Sequence, residues 1–281
     1  MLKGILLGGA KSFLKNALGE IAMLGTNISD LGKTPYEYSP DAYGTVLRYS
    51  TQVILPFGAI ILTFVMVYDL YQIVLEGNNF HNVDSSLFIR WMIKTTLALI
   101  ILTNLWDFIG AIFHLVAEII PMDEVTGGIS LGDIDGIANS ITEIWVNDRT
   151  IGDGEAIALL VQTLVLWLIC MATNLLIQVL IVSRFFKIYL ILSLAPIPMA
   201  TFGNRELSEL GKNYIKKIFA LAFQAILIIL VWVIYLKLIN GLSFEERSWE
   251  EYIMKIMVSS IVCIVSMKST SAIADSIFTA R

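Results

Sequence analysis

The feature that most constrains this chain is a set of apolar runs that are too long for an ordinary soluble domain. An α-helix needs roughly 20 mainly apolar residues to cross the roughly 30 Å hydrocarbon layer of a bilayer. Five stretches of the 281-residue sequence reach or approach that length. Because a bilayer offers no water to unpaired backbone groups, each stretch is expected to form a helix. The stretches are 52–75, 87–120, 156–182, 218–239 and 252–267, and the last can continue through 278.

The composition supports the same fold class. The chain is 57% hydrophobic and only 15% charged, with a mean hydropathy of +0.76, whereas a typical soluble domain carries about 25% charged residues. The sequence therefore predicts an all-α, polytopic transmembrane helix bundle of about five spans in the cell membrane. Contact with membrane lipid follows from that assignment.

A sixth apolar segment, 188–201, is too short to cross the membrane. It has about 14 residues, or roughly 21 Å as a helix, and segments of that length are typically re-entrant or interfacial. Arg184 and Lys187 are expected to separate it from the span before it. The sequence therefore predicts a re-entrant or kinked proline-containing element here.

Two prolines interrupt this short segment. Pro196 and Pro198 each remove a backbone donor and disfavour the helical conformation of the residue before them. The backbone at Ala195 and Ile197 is therefore expected to be extended.

A turn and a new helix are expected after the prolines. Gly203 and Asn204 permit the turn, and either Asn204 or Ser208 can cap the helix that follows. The four residues of this candidate kink or gating element are Pro196, Pro198, Gly203 and Asn204.

The distribution of charge favours five crossings. Cytoplasmic loops carry an excess of Lys and Arg, and four basic groups of this chain fall on one side only if 188–201 does not cross. Lys3, Lys11 and Lys15 then lie on the other side, far from the first span. Five crossings place the N-terminus outside the cell and the C-terminus in the cytoplasm. The basic groups lie at 90–94, 184–187, 205–217 and 268–281, and the acidic loops are 121–155 and 240–251.

Two domains are predicted from this topology. Residues 1–50 form an amphipathic N-terminal helix and a linker outside the membrane, and 51–281 form the transmembrane domain with its acidic outer loop, 121–155. Apolar residues recur at helical spacing over 1–24, whereas 25–44 is polar and rich in turn residues. The N-terminal helix is expected to lie in a membrane interface, against a partner, or on the protein's own bundle.

A second amphipathic helix is expected within the outer loop, over 133–146. Its apolar residues fall on one helical face, which indicates a helix on the outer membrane surface or on a neighbouring subunit. The predicted face consists of Ile134, Ile137, Ile141, Ile144 and Trp145.

Polar residues inside the spans are candidates for function. Asp69, Arg90 and Lys94 lie at similar predicted depth with opposite signs, so they form either an ion pair or the polar lining of a conduit. Asn174 and Gln178 are four residues apart, a spacing that favours hydrogen bonds to a neighbouring helix over substrate contact.

The sequence contains no catalytic set. It lacks a phosphate-binding glycine loop and a dinucleotide fingerprint, and its two histidines, His81 and His114, do not assemble a nucleophilic triad or a metal cluster. Cys170 and Cys263 lie in apolar runs, where they are expected to be small buried hydrophobic residues. No cofactor, no metal and no enzymatic activity are therefore expected.

One stretch of the chain resembles a known family. Residues 183–228, SRFFKIYLILSLAPIPMATFGNRELSELGKNYIKKIFALAFQAILI, resemble the central segment of TrbL-like proteins. These are polytopic inner-membrane subunits of conjugative type IV secretion systems, particularly the versions on Gram-positive mobile elements. The shared pattern is an apolar helix, a proline-containing break, a short charged loop and another apolar helix. In this chain those features lie at 194–198, 202–206 and 211–216, and the order of spans over 50–280 is compatible.

The resemblance implies a non-enzymatic role in conjugation. The protein would be a channel or scaffold subunit that helps DNA–protein or protein substrates cross the membrane. It would form a homo-oligomeric ring, with a pentamer as the expected size. Other type IV secretion subunits, including the ATPases, would be its partners, and DNA would meet it only as a translocated substrate.

A different class of function is the alternative. A small secondary transporter or permease component is suggested by Asp69, Arg90, Lys94 and the broken segment. Such transporters often consist of inverted repeats, and the sequence shows no matching halves. A third interpretation is a membrane anchor with no transport path.

Overall fold

The computed structural model describes residues 2–76, 85–120, 131–147, 151–204, 206–240 and 249–279. Within these ranges all regular elements are helical, which confirms the all-α fold class. The helices are α1 (Leu2–Ser29), α2 (Pro35–Tyr38), α3 (Pro40–Tyr49), α4 (Leu55–Glu76), α5 (Ser85–Thr103), α6 (Leu105–Ile119), α7 (Leu131–Asn147), α8 (Asp153–Ser193), α9 (Pro196–Ala200), α10 (Ser208–Asn240) and α11 (Trp249–Thr279).

Parts of the predicted loops lie outside the described residues. These parts are 121–130 and 148–150 of the acidic outer loop and 241–248 of the second acidic loop. Arg205 of the basic group and His81 also lie outside them.

Within the part of the chain that the structure describes, five helical stretches are long and apolar enough to cross a membrane, as predicted. Their outward surface is also apolar, as contact with lipid requires: Phe64 is 72% exposed and Val265 is 64% exposed. The fifth stretch continues to 278, as expected. The stretches are Pro40–Leu75, Ser86–Thr103, Asp153–Ser193, Ser208–Ile239 and Glu250–Phe278.

The predicted separation of the third span from 188–201 is wrong. Helix α8 continues through Arg184 and Lys187 as one helix that ends at Ser193. The buried Arg184 guanidinium donates from Nε and Nη2 to the Leu221 carbonyl oxygen, at 3.3 and 3.1 Å. Because a backbone acceptor satisfies these donors, the arginine does not need to leave the helix for water.

The chain packs into two compact units. Helices α8, α10 and α11 each contribute residues to both units. Unit 1 contains Met1–Gly32, Ile120–Ser183 and Ala225–Thr270, and unit 2 contains Lys33–Ile119, Arg184–Gln224 and Ser271–Arg281.

In unit 1, helix α1 packs along α8 with the two helices parallel. Phe13 stacks on Trp167 with 5.7 Å between the ring centroids, and a Cβ at Gly9 would contact Leu160. Of the three environments expected for this helix, the structure shows packing on the protein's own bundle. One face of α1 is buried, and it consists of Leu7, Ala10, Leu14, Ala17, Leu18, Ile21, Leu24 and Ile28.

The predicted outer-loop helix is α7, and it packs on α1 within the same chain. Its buried face differs from the predicted one. Ala138, Ile141 and Trp145 are buried, whereas Ile144 is 48% exposed. The spacing of 138, 141 and 145 follows one helical ridge, and Ile144 lies beside that ridge. The side chains of Ile134 and Ile137 are outside the described part of the structure.

A polar network joins α1 to α8 inside the apolar packing of unit 1. The Asn174 amide donates to the Glu20 carboxylate at 2.6 Å. Asn27 and Gln178 donate in turn to the Asn174 carbonyl oxygen at 3.0 and 3.2 Å. Asn174 therefore bonds a neighbouring helix, as its position in the sequence predicted.

Unit 2 begins with two short helices in place of the predicted linker. Thr34 caps α2 and Ser39 caps α3, and each is followed by a proline at the first helical position. Serine, threonine and proline there start helices rather than maintain a loop. The Tyr189 hydroxyl donates to the Pro35 carbonyl oxygen at 2.8 Å, which fastens α2 to α8.

We predict that Asn174→Ala lowers the free energy of unfolding by about 1 kcal/mol, because it removes the partner of a half-buried carboxylate and of two amides. Gln178→Ala is the matched control. It removes one bond from an exposed side chain and should change stability by no more than a few tenths of a kcal/mol. Unfolding by SDS titration in mixed micelles measures both, and equal losses would contradict a central role for Asn174.

Candidate functional site

The predicted proline element is a tight helical corner between α8 and α10 in unit 2. Its backbone does not become extended: Ala195 has φ −51° and ψ −40°, in the right-handed helical region. Pro196 and Pro198 lie in the first turn of α9, where amides have no partner within the helix, so their missing donors leave no gap. The expectation of extended residues is therefore wrong, and the kinked form of the prediction holds.

The amides around the prolines keep partners within the corner. Leu194 donates to the Ile191 carbonyl oxygen at 3.3 Å, and Ile197 donates to that of Leu194 at 3.2 Å. These bonds reach back three residues, as in a 3₁₀ helix, and they tighten the turn. The chain thus changes direction while these backbone amides keep their hydrogen bonds.

Two glycines outside the element let the corner pack closely. A Cβ at Gly58 in α4 would lie 2.9 Å from the Pro196 carbonyl oxygen. A Cβ at Gly211 in α10 would lie 3.0 Å from the Pro198 carbonyl oxygen. The obstacle at Gly58 is a backbone atom closer than 3.0 Å, so a methyl group there would require the corner to shift. At Gly211 the neighbouring Pro198 and Phe202 atoms lie at 3.0 Å, so a methyl group there would be tightly packed.

Gly203 and Asn204 complete the corner on the side of α10. A Cβ at Gly203 would collide with Met66 and approach Ala98 Cβ at 3.2 Å. The buried Asn204 side chain accepts from the amides of Glu206 and Leu207, at 2.8 and 3.1 Å. Asn204 therefore caps the turn that leads into α10, and it is one of the two capping residues expected from the sequence.

Helix α4 is also fastened to the exposed end of the corner. The Glu206 carboxylate accepts from the Gln72 amide at 2.8 Å and from the Tyr68 hydroxyl at 3.3 Å. Together with Gly58, these contacts hold α4 against the corner along most of its length.

The polar residues predicted inside the spans separate into two groups. Lys94 donates to both Asp69 carboxylate oxygens at 2.9 Å, so these two form the ion pair that the sequence suggested. Arg90 lies exposed on α5 and does not join them. Trp91 adds a further link between α4 and α5, since its indole donates to the Met66 carbonyl oxygen at 3.1 Å.

The corner thus brings Pro196, Pro198, Gly203 and Asn204 together, and the role of these residues is structural. It fixes the path from α8 to α10 and holds α4 and α5 beside it. Within the described residues no group of His, Cys, Asp and Glu side chains could hold a metal ion.

A protein-family model for the "TrbL/VirB6 plasmid conjugal transfer like protein" matches residues 21–196, well over half of the chain. The chain belongs to this family. Comparisons with curated proteins and with solved structures found no match.

The TrbL/VirB6 match overlaps only the first part, 183–196, of the stretch that carried the sequence resemblance. It runs from within α1 to Pro196, the first residue of α9. The family prediction is confirmed, and residues 197–228 of the quoted segment lie beyond the match. Membership and the five apolar helices make this chain a multi-pass membrane component of conjugal transfer.

Sequence reasoning missed Gly58 as part of the corner in this TrbL/VirB6-family protein. It placed Glu206 and Gly211 in the family pattern but did not predict their contacts. A glycine inside a helical pattern is a signal of close backbone approach. Gly58 and Gly211 both carry that signal, because each lies within a run that predicts a helix. The signal does not identify the approaching backbone, which comes from Pro196 and Pro198.

We predict that Gly58→Ala destabilises the protein by about 1–3 kcal/mol, because its methyl group would overlap the Pro196 carbonyl. The matched control is Gly44→Ala in α3, where nothing lies within 4 Å of the added Cβ. That substitution should be neutral or slightly stabilising, since alanine favours a helix over glycine. Thermal unfolding of both variants in one detergent compares them, and similar values would refute the close approach at Gly58.

We also predict an asymmetric response of the ion pair. Lys94→Met should cost more stability than Asp69→Asn, because it leaves a carboxylate that is 8% exposed without its counter-charge. The Lys94 side chain is 37% exposed and can reach water once Asp69 is neutral. The double variant should recover much of the loss of Lys94→Met. The free energies of unfolding of the three variants form a double-mutant cycle that measures the coupling.

Proposed function

We propose that this TrbL/VirB6-family protein is a membrane channel or scaffold subunit of a conjugative type IV secretion system. It would help DNA–protein or protein substrates cross the cell membrane without catalysing a reaction itself. The family match over 21–196 is the observation that carries this proposal. The packing adds support, because the described core consists of helices, a corner that contacts α4 and α5, and the Asp69–Lys94 ion pair, in which the two charges neutralise each other.

The proposal includes an orientation and an assembly. The N-terminus lies outside the cell and the C-terminus in the cytoplasm, which is the arrangement that puts the basic segments inside. Copies of the chain form a homo-oligomeric ring, with a pentamer as the expected size. The ATPases and other subunits of the machine are its partners, and DNA reaches it only as substrate. The Gram-positive type of system stays a prediction from the resemblance.

The corner has a defined place in this proposal. It joins the third and fourth spans, and its four sequence-predicted residues would sit at the cytoplasmic face. A change in the position of the corner would move α4 and α5 with it, because both helices contact it directly. The corner is therefore our candidate for the element that responds to the ATPases.

We predict that deleting the gene in its native cells abolishes transfer of the element's DNA to recipients. The wild-type protein and Gly44→Ala should restore transfer, and Gly58→Ala should restore less at equal protein level in the membrane. Mating frequencies and membrane blots measure both quantities. Unchanged transfer after deletion would refute the conjugation role.

Labelling and mass measurements on the same protein test the orientation and the ring. Cys170 and Cys263 are free and buried, so introduced cysteines can be labelled selectively. Lys212→Cys should react only from the cytoplasm, and Ser140→Cys only from outside; both positions are exposed. A single-chain mass in lipid nanodiscs would contradict the ring.

A small secondary transporter or permease component is the competing function. It would use Asp69 and Lys94 as substrate contacts, whereas the structure has each neutralising the other at 2.9 Å. Solute uptake into liposomes that Asp69→Asn abolishes would favour the transporter over the secretion subunit.

A further inference from the structure

Unit 2 contains a second feature that is separate from the corner, a cavity of about 290 Å³. Its walls come from α2, α3 and α6, together with the last turn of α8. The size lies near the lower limit of small-molecule sites, so it suits a headgroup-sized ligand rather than a folded partner. The lining includes Tyr36, Glu37, Tyr43, Phe113 and His114.

Two aromatic side chains meet nearly at right angles in the cavity wall. Tyr36 and Tyr43 have ring centroids 5.7 Å apart, and their planes meet at 85°. Trp106 meets Tyr43 edge-on at 5.4 Å and fixes the orientation of that ring. Aromatic faces carry negative potential and attract cations that approach within about 6 Å of the ring centroid.

A carboxylate completes the negative character of the site. Glu37 Oε2 accepts from the Thr34 amide at 2.8 Å and from the Thr34 hydroxyl at 3.0 Å. The backbone hydrogen bond from Thr34 is the main reason that the pKa of Glu37 is lowered, and His114 and Lys33 contribute less. The carboxylate is therefore ionised at neutral pH. Both of these hydrogen bonds reach Oε2.

His114 also lines the cavity and lies 3.4 Å from Glu118, measured from Nδ1 to Oε1. In a neutral ring whose Nδ1 donates that bond, Nε2 is a hydrogen-bond acceptor. Among the described residues that line the cavity there is no lysine or arginine, and Lys33 acts on Glu37 from outside the lining. The wall thus offers an ionised carboxylate, a ring nitrogen and aromatic faces, all of which favour a positively charged donor.

We propose that this cavity binds an organic ammonium group, carried either by the headgroup of a zwitterionic lipid or by a free small amine. An anion would meet Glu37 and the aromatic faces, which repel it. A neutral apolar ligand would remove water from the ionised Glu37 carboxylate without supplying a counter-charge. An ammonium group satisfies the carboxylate by a charge-assisted hydrogen bond and the rings by cation–π contact.

Two probes distinguish the two sources of the amine. Saturation-transfer NMR with tetramethylammonium and ethanolamine reports free amines on the purified full-length protein. Native mass spectrometry reports which lipid is retained from nanodiscs of equimolar phosphatidylethanolamine and phosphatidylglycerol. We expect displaceable binding of both amines if the source is free, and preferential retention of phosphatidylethanolamine if it is a lipid.

Matched variants connect the binding to the cavity. Glu37→Gln should weaken binding about tenfold while keeping the helix cap, because glutamine also completes a capping box. Tyr36→Leu should weaken it several-fold, and since Tyr36 is 59% exposed, the fold should tolerate the change. The control is Asp41→Asn, which removes the same charge from an exposed position on α3 outside the lining and should leave binding unchanged.

Each outcome decides the proposal. Loss of binding in Glu37→Gln and Tyr36→Leu but not in Asp41→Asn supports it. Equal loss in Asp41→Asn assigns the effect to general surface charge and overturns it. Absence of amine binding together with equal retention of the two lipids also overturns it, as would binding of lysine-containing peptides alone.

Discussion

Every backbone amide in an apolar surrounding needs a hydrogen-bond partner, and this constraint decides where the helices of this protein can end. A helix satisfies its own groups at each step, so α8 and α10 continue for 41 and 33 residues. The corner between them obeys the same rule. It turns the chain with bonds that reach back three residues and places both prolines where no donor is needed.

Buried charged groups also need hydrogen-bond partners. Where such a partner is distant in the sequence, sequence reasoning cannot predict it. The five spans could be predicted because hydropathy and length are local properties of the chain. The end of the third span could not. Arg184 stays inside α8 because it reaches the Leu221 carbonyl, 37 residues further along the chain. Likewise, the turn residues of 25–44 suggested a loop, whereas Thr34 and Ser39 cap helices there.

The candidate site shows the same division between local and distant causes. The place of the break at Pro196 and Pro198 and the cap at Asn204 were predictable, because prolines and capping residues act on their own backbone. The extended geometry expected before the prolines was wrong. Gly58 and Gly211 were not, because their role depends on which backbone lies against them. The ion pair lies between these cases: opposite charges at similar depth suggested a pair, and only the structure separates Lys94 from Arg90 as the partner of Asp69.

The packing of the corner also restricts how it could act in a secretion machine. A hinge needs room for neighbouring side chains to rearrange, and the corner has backbone atoms against Gly58 and Gly211 instead. A movement of the corner must therefore carry α4, α5 and the start of α10 as one body. Any deformation that accompanies such a movement must then fall outside this body. The π-helical turn Ser50–Ile54 connects α3 to α4, and its i→i+5 bonding interrupts the regular ladder there.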